Sequence, residues 1–124
     1  MSISVYLANE LLDAYLSNGS FAVAAAWMSL HTADPGLTGA DEVTGGSYGR
    51  QSTAFDAASS GATANSAQEE FTAMPACSIT HVGLWDAETT GNFLQGGAIT
   101  GGSKTVNSGD TVRCAIGGLD VTLS

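Results

Sequence analysis

Two histidines and two cysteines are the side chains with the most chemical potential. They are His31, Cys77, His81 and Cys114. Two imidazoles and two thiolates could complete a tetrahedral zinc site, and a thiol beside an imidazole and a carboxylate could act as a nucleophile. Their spacings match no zinc finger or ribbon, there is no Cys-x-x-Cys pair, and no nucleophile elbow surrounds either cysteine. We therefore predict no metal ion, no cofactor and no catalytic residue, in a protein that is not an enzyme.

A loop in the first half of the chain concentrates carboxylates and glycines. Asp34, Asp41 and Glu42 could hold Ca²⁺ with backbone oxygens, but the regular Asp-x-Asp-x-Asp-Gly pattern is missing. The run from Gly45 to Arg50 is glycine-rich, yet it lacks Gly-Lys-Ser/Thr and opens no helix, so it is a poor phosphate loop. We interpret the carboxylates as a solvated loop and the glycine-rich run as a flexible contact segment.

Arg50 and the two tryptophans each allow two interpretations. Arg50 is one of three cations, and it forms either a local ion pair with its own loop acids or a salt bridge across a subunit contact. Trp27 and Trp85 could form a sugar-stacking platform of a receptor-binding module. Because the chain has few large side chains, packing in the core or an interface is favoured for both tryptophans.

The composition limits the classes of partner. The chain has 124 residues, the size of one domain, and 12 acids against 3 Lys and Arg give a net charge of -9. That balance argues against nucleic acid and against an anionic membrane. An acidic surface keeps the protein soluble, or it docks on a basic partner. Few large apolar side chains beside 16 glycines suggest a small core that is stabilised by self-association.

The N-terminal segment predicts a helix rather than a targeting signal. The first twenty residues contain no Lys or Arg, and Glu10 and Asp13 interrupt the apolar run, which argues against a signal peptide or a membrane span. We therefore expect synthesis in a reducing compartment, with free thiols. The helix should cover Ile3 to Leu16, with Ser2 or Ser4 as its N-cap. Its apolar stripe consists of Leu7, Leu11, Leu12, Tyr15 and Leu16.

Glycine supplies the left-handed residue of the C-cap signal Asn18-Gly19, which ends this predicted helix. The stripe has two possible partners. It covers the sheet of its own chain, or it projects as an arm and docks on a neighbouring subunit.

The rest of the chain predicts short antiparallel strands. Thr80 to Gln95 should form a hairpin, with Trp85 and Phe93 on facing strands and a polar loop from Ala87 to Gly91. Asp56 to Ala64 should be a flexible connection. The other predicted strands are 21–32, 49–55, 66–72, 104–106, 111–116 and 119–123, and a hairpin turn at 107–110 joins the fourth and fifth of them.

This pattern predicts an all-β fold, an antiparallel β-sandwich of jelly-roll type preceded by one N-terminal α-helix. Residues 1–19 would form the helix or arm, and residues 20–124 the sandwich domain.

Three motifs, in order along the chain, resemble those of small virion structural proteins of tailed bacteriophages. The first runs from Ser29 to Gln51, the second is Thr-His-Val-Gly-Leu-Trp-Asp-Ala at 80–87, and the third combines 104–106 with 109–112. The resemblance covers the chain from Met28 onward and leaves the helix outside. Members of this group are labelled tail fibre or head-decoration proteins. The resemblance implies a virion structural protein and supplies no catalytic residues.

The first functional hypothesis is a capsid decoration or cement protein. A homotrimer would sit on the outside of the shell, bind the major capsid protein, and assemble in the cytoplasm of the bacterial host. The alternative is a tail fibre or spike component, or a module of the phage tail that binds host glycans. The residues expected to contact another subunit or a partner are Leu11, Leu12, Tyr15, Leu37, Val43 and Arg50.

Overall fold

The computed structural model describes residues 2–123. Met1 and Ser124, the outermost residues of the two predicted domains, lie outside the described residues. The chain begins with a two-residue strand, β1 (Ser2–Ile3), and the helix α1 (Val5–Leu16). The strands that follow are β2 (Ala26–His31), β3 (Gln51–Thr53), β4 (Ala62–Ala64), β5 (Glu69–Phe71), β6 (Cys77–Ile79), β7 (His81–Trp85), β8 (Phe93–Ala98), β9 (Lys104–Val106), β10 (Val112–Cys114) and β11 (Asp120–Thr122).

The strands form one large sheet and three ribbons. The sheet has five strands in the order β1-β8-β7-β2-β3, and the ribbons pair β4 with β11, β5 with β10, and β6 with β9. All of these pairs are antiparallel. The all-β sandwich with an N-terminal helix is thus confirmed. The jelly-roll detail is not, because the described strands do not assemble into two four-stranded sheets.

The predicted hairpin forms from β7 and β8, which lie side by side within the five-stranded sheet. Trp85 pairs with Phe93, and their rings meet edge to face with centroids 5.2 Å apart. Strand β8 extends beyond the predicted hairpin, through Gly96 and Gly97 to Ala98. It does so because its backbone pairs with β7 along this length and with β1 at Ser2 and Ile3.

The inner face of the sheet builds the hydrophobic core. Met28 pairs with Leu84 and Leu30 with Val82, so these four side chains lie on the same side of β2 and β7. The ribbons and the helix cover this side. The buried core consists of Leu7, Met28, Leu30, Val43, Phe71, Met74, Ile79, Leu84, Leu94, Val106, Val112 and Leu119.

Small residues make room on the outer face of the sheet. Ser29, Gly83 and Gly96 lie side by side on β2, β7 and β8. A Cβ atom on Gly83 would come within 2.7 Å of the Phe93 ring and 2.9 Å of His31 Nε2. The two strand glycines therefore allow rings and loop residues to pack directly on the backbone.

The helix is confirmed, but it begins at Val5 rather than Ile3, which belongs to β1. Ser4 is the N-cap, and its hydroxyl oxygen accepts a hydrogen bond from the Leu7 N–H at 3.0 Å. The Ser4 N–H donates to the Leu94 carbonyl at 2.8 Å, which fixes the start of the helix against β8. At the other end Asn18, not Gly19, has the left-handed conformation, with φ 64°. No helix within residues 2–123 is long and apolar enough to cross a membrane.

Two predictions about the ribbons were wrong. Residues 62–64, placed in a flexible connection, form β4 and pair with β11. The turn at 107–110 does form, and the Asp110 N–H bonds the Asn107 carbonyl at 3.0 Å. However, the strands that it joins do not pair with each other, because β9 pairs with β6 and β10 with β5.

Candidate interaction surface

His31 is a buried member of a hydrogen-bonded chain. Its Nδ1 atom lies 2.8 Å from the Ala40 carbonyl oxygen, which only accepts, so Nδ1 carries the proton. Nε2 then accepts from the Ser29 hydroxyl at 2.7 Å, and the Ser29 oxygen accepts from the Trp85 indole N–H at 2.9 Å. Burial lowers the pKa of the His31 imidazole, and the Ala40 bond and the Glu42 charge offset this only in part. The chain of bonds holds the neutral ring inside the protein.

Of the other candidate ligands, His81 pairs with His31 across β2 and β7, but its ring bonds elsewhere. His81 Nδ1 is 2.8 Å from the Thr80 hydroxyl oxygen. Cys77 and Cys114 are free, half-buried thiols, and burial raises the pKa of both, which disfavours the reactive thiolate. Within residues 2–123, His, Cys, Asp and Glu form no group of three or more that could hold a metal ion.

Arg50 forms a clamp between the long loop and the β7–β8 hairpin. Its Nε and Nη2 atoms donate to the two carboxylate oxygens of Glu42, each at 2.9 Å. Its Nη1 atom donates to the carbonyls of Ala87 at 3.0 Å and Thr90 at 2.8 Å. The guanidinium carbon lies 3.6 Å from the centroid of the Trp85 ring, a cation–π contact. The local ion pair is therefore the correct interpretation of Arg50, whose side chain is only 8% exposed.

Tyr48 completes the clamp from the other side of Glu42. Its hydroxyl donates to Glu42 Oε2 at 2.8 Å and accepts from the Leu30 N–H at 3.0 Å. Burial, with the adjacent Glu42, raises the pKa of Tyr48, so the phenol stays neutral. Burial alone would raise the pKa of Glu42, but the bonds from Arg50 and Tyr48 and the Arg50 charge outweigh it and hold the pKa below its usual value. The segment predicted to be a flexible contact is instead fastened to the sheet.

Both tryptophans pack against the protein. Trp85 is buried under Phe93, Arg50 and the loop residue Gly39, where any Cβ atom would clash with the indole. Trp27 is half-buried and pairs with Trp85 across β2 and β7. The packing interpretation is confirmed for Trp85, and its covered ring has no free face for a sugar.

The residues predicted to contact partners have different environments. Val43 lies in the core, 4% exposed, so its side chain offers almost no surface to another molecule. Leu11 is half-buried against the core, and Arg50 is engaged in the clamp. Leu37, Leu12 and Tyr15 are exposed, Tyr15 to 71%. The structure thus brings two of the six together on one exposed surface, the helix.

Helix α1 carries apolar side chains on two sides. Leu7 and Leu11 face the core. The exposed apolar side chains lie outside this core-facing side, and we call them the outer apolar face: Val5, Leu12, Tyr15 and Leu16. A contiguous apolar patch on a soluble protein marks a contact surface. The predicted stripe therefore divides between the two roles proposed for it, one half covering the core and the other half left exposed.

The sequence profile of a family described as "Podophage GP4 fiber I protein gp80" matches residues 2–122. The chain belongs to this family. Membership of the gp80 fibre family makes it a bacteriophage virion structural protein, as the motifs implied. The match includes β1 and α1, so the helix belongs to the family fold, although the resemblance had left it outside. No curated protein matches the sequence.

No sequence pattern predicted that the clamp residues would meet, although Glu42, Arg50 and Trp85 were each considered as candidate residues. Glu42, Tyr48, Arg50 and Trp85 all lie within the first two motifs that resemble those of small phage virion proteins. One available signal was the scarcity of cations, since one arginine among many acids usually has a defined partner. The hydrogen bonds from Arg50 to the carbonyls of Ala87 and Thr90 could not be predicted, because every residue has a backbone carbonyl and its residue type does not show which one accepts.

The two arginine–glutamate pairs give a matched test of the clamp. Arg50→Met should lower the free energy of unfolding by about 3 kcal/mol, because it leaves Glu42 partly buried and unpaired. Arg113→Met breaks an exposed pair with Glu70 and should cost about 0–1 kcal/mol. Urea unfolding followed by circular dichroism measures both. Equal losses would contradict the clamp.

Stability should fall on mild acidification because of His31. Its folded pKa lies below the unfolded value of about 6.5, so the unfolded chain binds the proton first and stability is lost as pH falls through that value. Glu42 adds a further loss at lower pH, where its unfolded carboxylate protonates first. Burial raises the pKa of Glu69, so protonation of this carboxylate at low pH favours the folded state and opposes the loss from Glu42. The comparison is therefore kept at pH 6 and above.

The measurement is urea unfolding at pH 7.5 and at pH 6. The wild-type protein should be less stable at pH 6, and His31→Asn should be less stable at both pH values but nearly independent of pH between them. A slope that survives in His31→Asn would show that another group titrates.

Proposed function

We propose that this chain is a non-catalytic structural subunit of a virion fibre, which self-associates as a homotrimer and binds another virion protein. Its assembly would take place in the cytoplasm of the bacterial host. The outer apolar face of α1, on a member of a fibre family, is the observation that carries the proposal. Leu37, exposed on the long loop, is a second candidate contact.

Association has a clear driving force. Each apolar Å² removed from water contributes about 25 cal/mol, before the cost of lost rotation and translation is subtracted. The outer apolar face presents four large side chains, including Tyr15 and Leu16. Closed rotational symmetry is the usual result when identical chains associate, and the proposed trimer is one such closed ring.

Charge supports the choice of partner. With a net charge of -9 and Arg50 engaged internally, the chain has little cationic surface for nucleic acid or an anionic membrane. A protein partner with a basic surface would be attracted. A salt bridge from Arg50 to another subunit has no support, because its donors already have partners in the same chain.

Three roles in the particle are possible: a fibre subunit, a capsid decoration protein, or a module that binds host glycans. The family description supports a fibre over the capsid decoration hypothesis. A module that recognises host glycans has less support, because Trp85 is covered on the sides a sugar would need.

The position is tested by gold-labelled antibody on intact virions. We expect electron microscopy to show gold on fibres. Gold distributed over the shell would instead establish decoration. Failure to label any particle, with an antibody that recognises the purified protein, would contradict a role in the virion.

The outer apolar face should control self-association. We expect Leu12→Glu with Tyr15→Glu to convert the wild-type oligomer to a monomer, measured by light scattering after size exclusion. Thr89→Glu adds charge on the exposed hairpin loop and should leave the oligomer intact. Deleting residues 2–17 is less informative, because it also removes β1 and the core residue Leu7. An unchanged mass for the double variant would exclude the helix from the contact.

A further inference from the structure

The segment between β2 and the clamp forms a compact loop over the outer face of the sheet, and we call residues 32–41 the lid. Its two ends meet, because the Thr32 N–H donates to the Asp41 carbonyl at 3.0 Å. A surface loop of about ten residues whose ends are joined in this way is an Ω-loop. Of the lid residues only Pro35 and Gly39 are buried, so the lid rests on the sheet through few points.

Two apolar contacts hold the lid on the sheet. Pro35 packs over the backbone of Gly96, where a Cβ atom would come within 2.8 Å of the proline ring. Gly39 lies against the rings of Trp85 and Phe93, and a Cβ atom on it would clash with both. Because the rest of the lid is exposed, these contacts stabilise it less than backbone pairing stabilises β7 and β8.

The third contact is the hydrogen bond from His31 Nδ1 to the Ala40 carbonyl, 2.8 Å long. His31 and Ser29 are both fully buried, and Nε2 of the ring accepts from the Ser29 hydroxyl. A second proton on the ring would occupy Nε2, so the hydroxyl hydrogen would have to leave it, and neither group is open to water. An imidazolium is therefore costly while the lid is closed.

The charged groups around His31 do not offset this cost. Glu42, which bridges to His31 across the backbone, favours the imidazolium, but both of its carboxylate oxygens already accept from Arg50. Arg50 itself and His81 on β7 oppose the added charge, and burial is the largest effect, so the pKa of His31 stays below its usual value. The acids of the lid lie in water: Asp34 and Asp41.

The lid is the part of the surroundings of His31 that can move most easily. Strands β7 and β8, which enclose the ring from below, are paired within the five-stranded sheet. Inside the lid, the N–H groups of Gly39 and Ala40 both donate to the Pro35 carbonyl. Detachment breaks the bond to His31 and leaves these internal bonds intact, while the clamp holds the chain from Glu42 onward.

We propose that the lid is proton-controlled: it stays on the outer face of the sheet while His31 is neutral, and it leaves when His31 takes up a second proton. Opening brings the imidazolium into water. It also uncovers Phe93 and the strand glycines Gly83 and Gly96, a surface that is closed at neutral pH. The opening is local and does not require the sheet to unfold. The chain thus presents different surfaces at neutral and at mildly acidic pH.

Hydrogen exchange of the backbone amides of the full chain, followed by mass spectrometry, tests the lid. If His31 is neutral under the closed lid and free under the open one, the open population rises about tenfold from pH 7.5 to pH 5.5. After correction for the intrinsic pH dependence of exchange, the protection of residues 32–41 should fall about tenfold. Protection that does not change would overturn the proposal. The comparison ends at pH 5.5 because free carboxylates titrate near pH 4.

Low concentrations of urea separate opening of the lid from unfolding of the protein. The urea dependence of an opening scales with the surface that it exposes. Exchange of residues 32–41 should therefore respond little to urea, whereas exchange of residues 81–85 in β7 should accelerate. One shared urea dependence for both segments would mean that the lid opens only when the whole protein unfolds, and the proposal would be wrong.

The variant His31→Asn removes the titrating group. Once circular dichroism has shown that the variant is folded, the protection of its lid should be independent of pH between 7.5 and 5.5. A tenfold fall that persists in this variant would assign the proton to another group, such as His81, and would overturn the role of His31.

Two glycine variants give a matched test that leaves His31 in place. Gly39→Ala puts a Cβ atom against the Trp85 ring and should hold the lid open, so lid protection at pH 7.5 should already fall to the wild-type value at pH 5.5 or below. Gly36→Ala changes another left-handed lid glycine, with φ 59°, but no atom lies within 4 Å of the new Cβ, so it should keep wild-type protection. Equal protection in the two variants would show that the lid does not close on the sheet.

Discussion

The contact of Arg50 with Trp85, Glu42 and the hairpin carbonyls is the interaction on which the rest of the structure depends. It joins the long loop after β2 to the tip of the β7–β8 hairpin, segments some 37 to 40 residues apart in sequence. Thr90, whose carbonyl it holds, has φ 56°, a costly conformation for a β-branched residue. Hydrogen bonds and a ring contact from one guanidinium offset that cost and fasten the loop to the hairpin.

The sequence indicated local elements well and long-range pairing poorly. Helix periodicity placed α1, and the alternation around Trp85 placed the central hairpin, since both signals lie within a few residues. The partner of β9 is not encoded nearby, because a turn at 107–110 suits a hairpin and a crossover equally. Val43 was assigned to a surface because it lies in a polar loop, whereas its N–H bonds the Leu30 carbonyl and carries the side chain into the core.

Glycine content, which suggested flexibility, has a packing role in the centre of the sheet. Gly83 and Gly96 sit beside Ser29, where the rings of His31 and Phe93 and the buried Pro35 need the space. The Ser29 hydroxyl then links His31 to the Trp85 indole. A small core can therefore be firm on this face, because polar bonds and aromatic rings replace aliphatic bulk.

Because the core is small, it buries only one side of the helix, although the helix is apolar on two sides. A 12-residue helix buries Leu7 and part of Leu11, which is enough to anchor it beside β8 but leaves the opposite side in water. If that side served only solubility, polar residues would cost nothing there, since the intrinsic helix propensities of Glu, Gln and Lys are close to that of Leu. Apolar side chains at four such positions are therefore better explained by assembly than by folding.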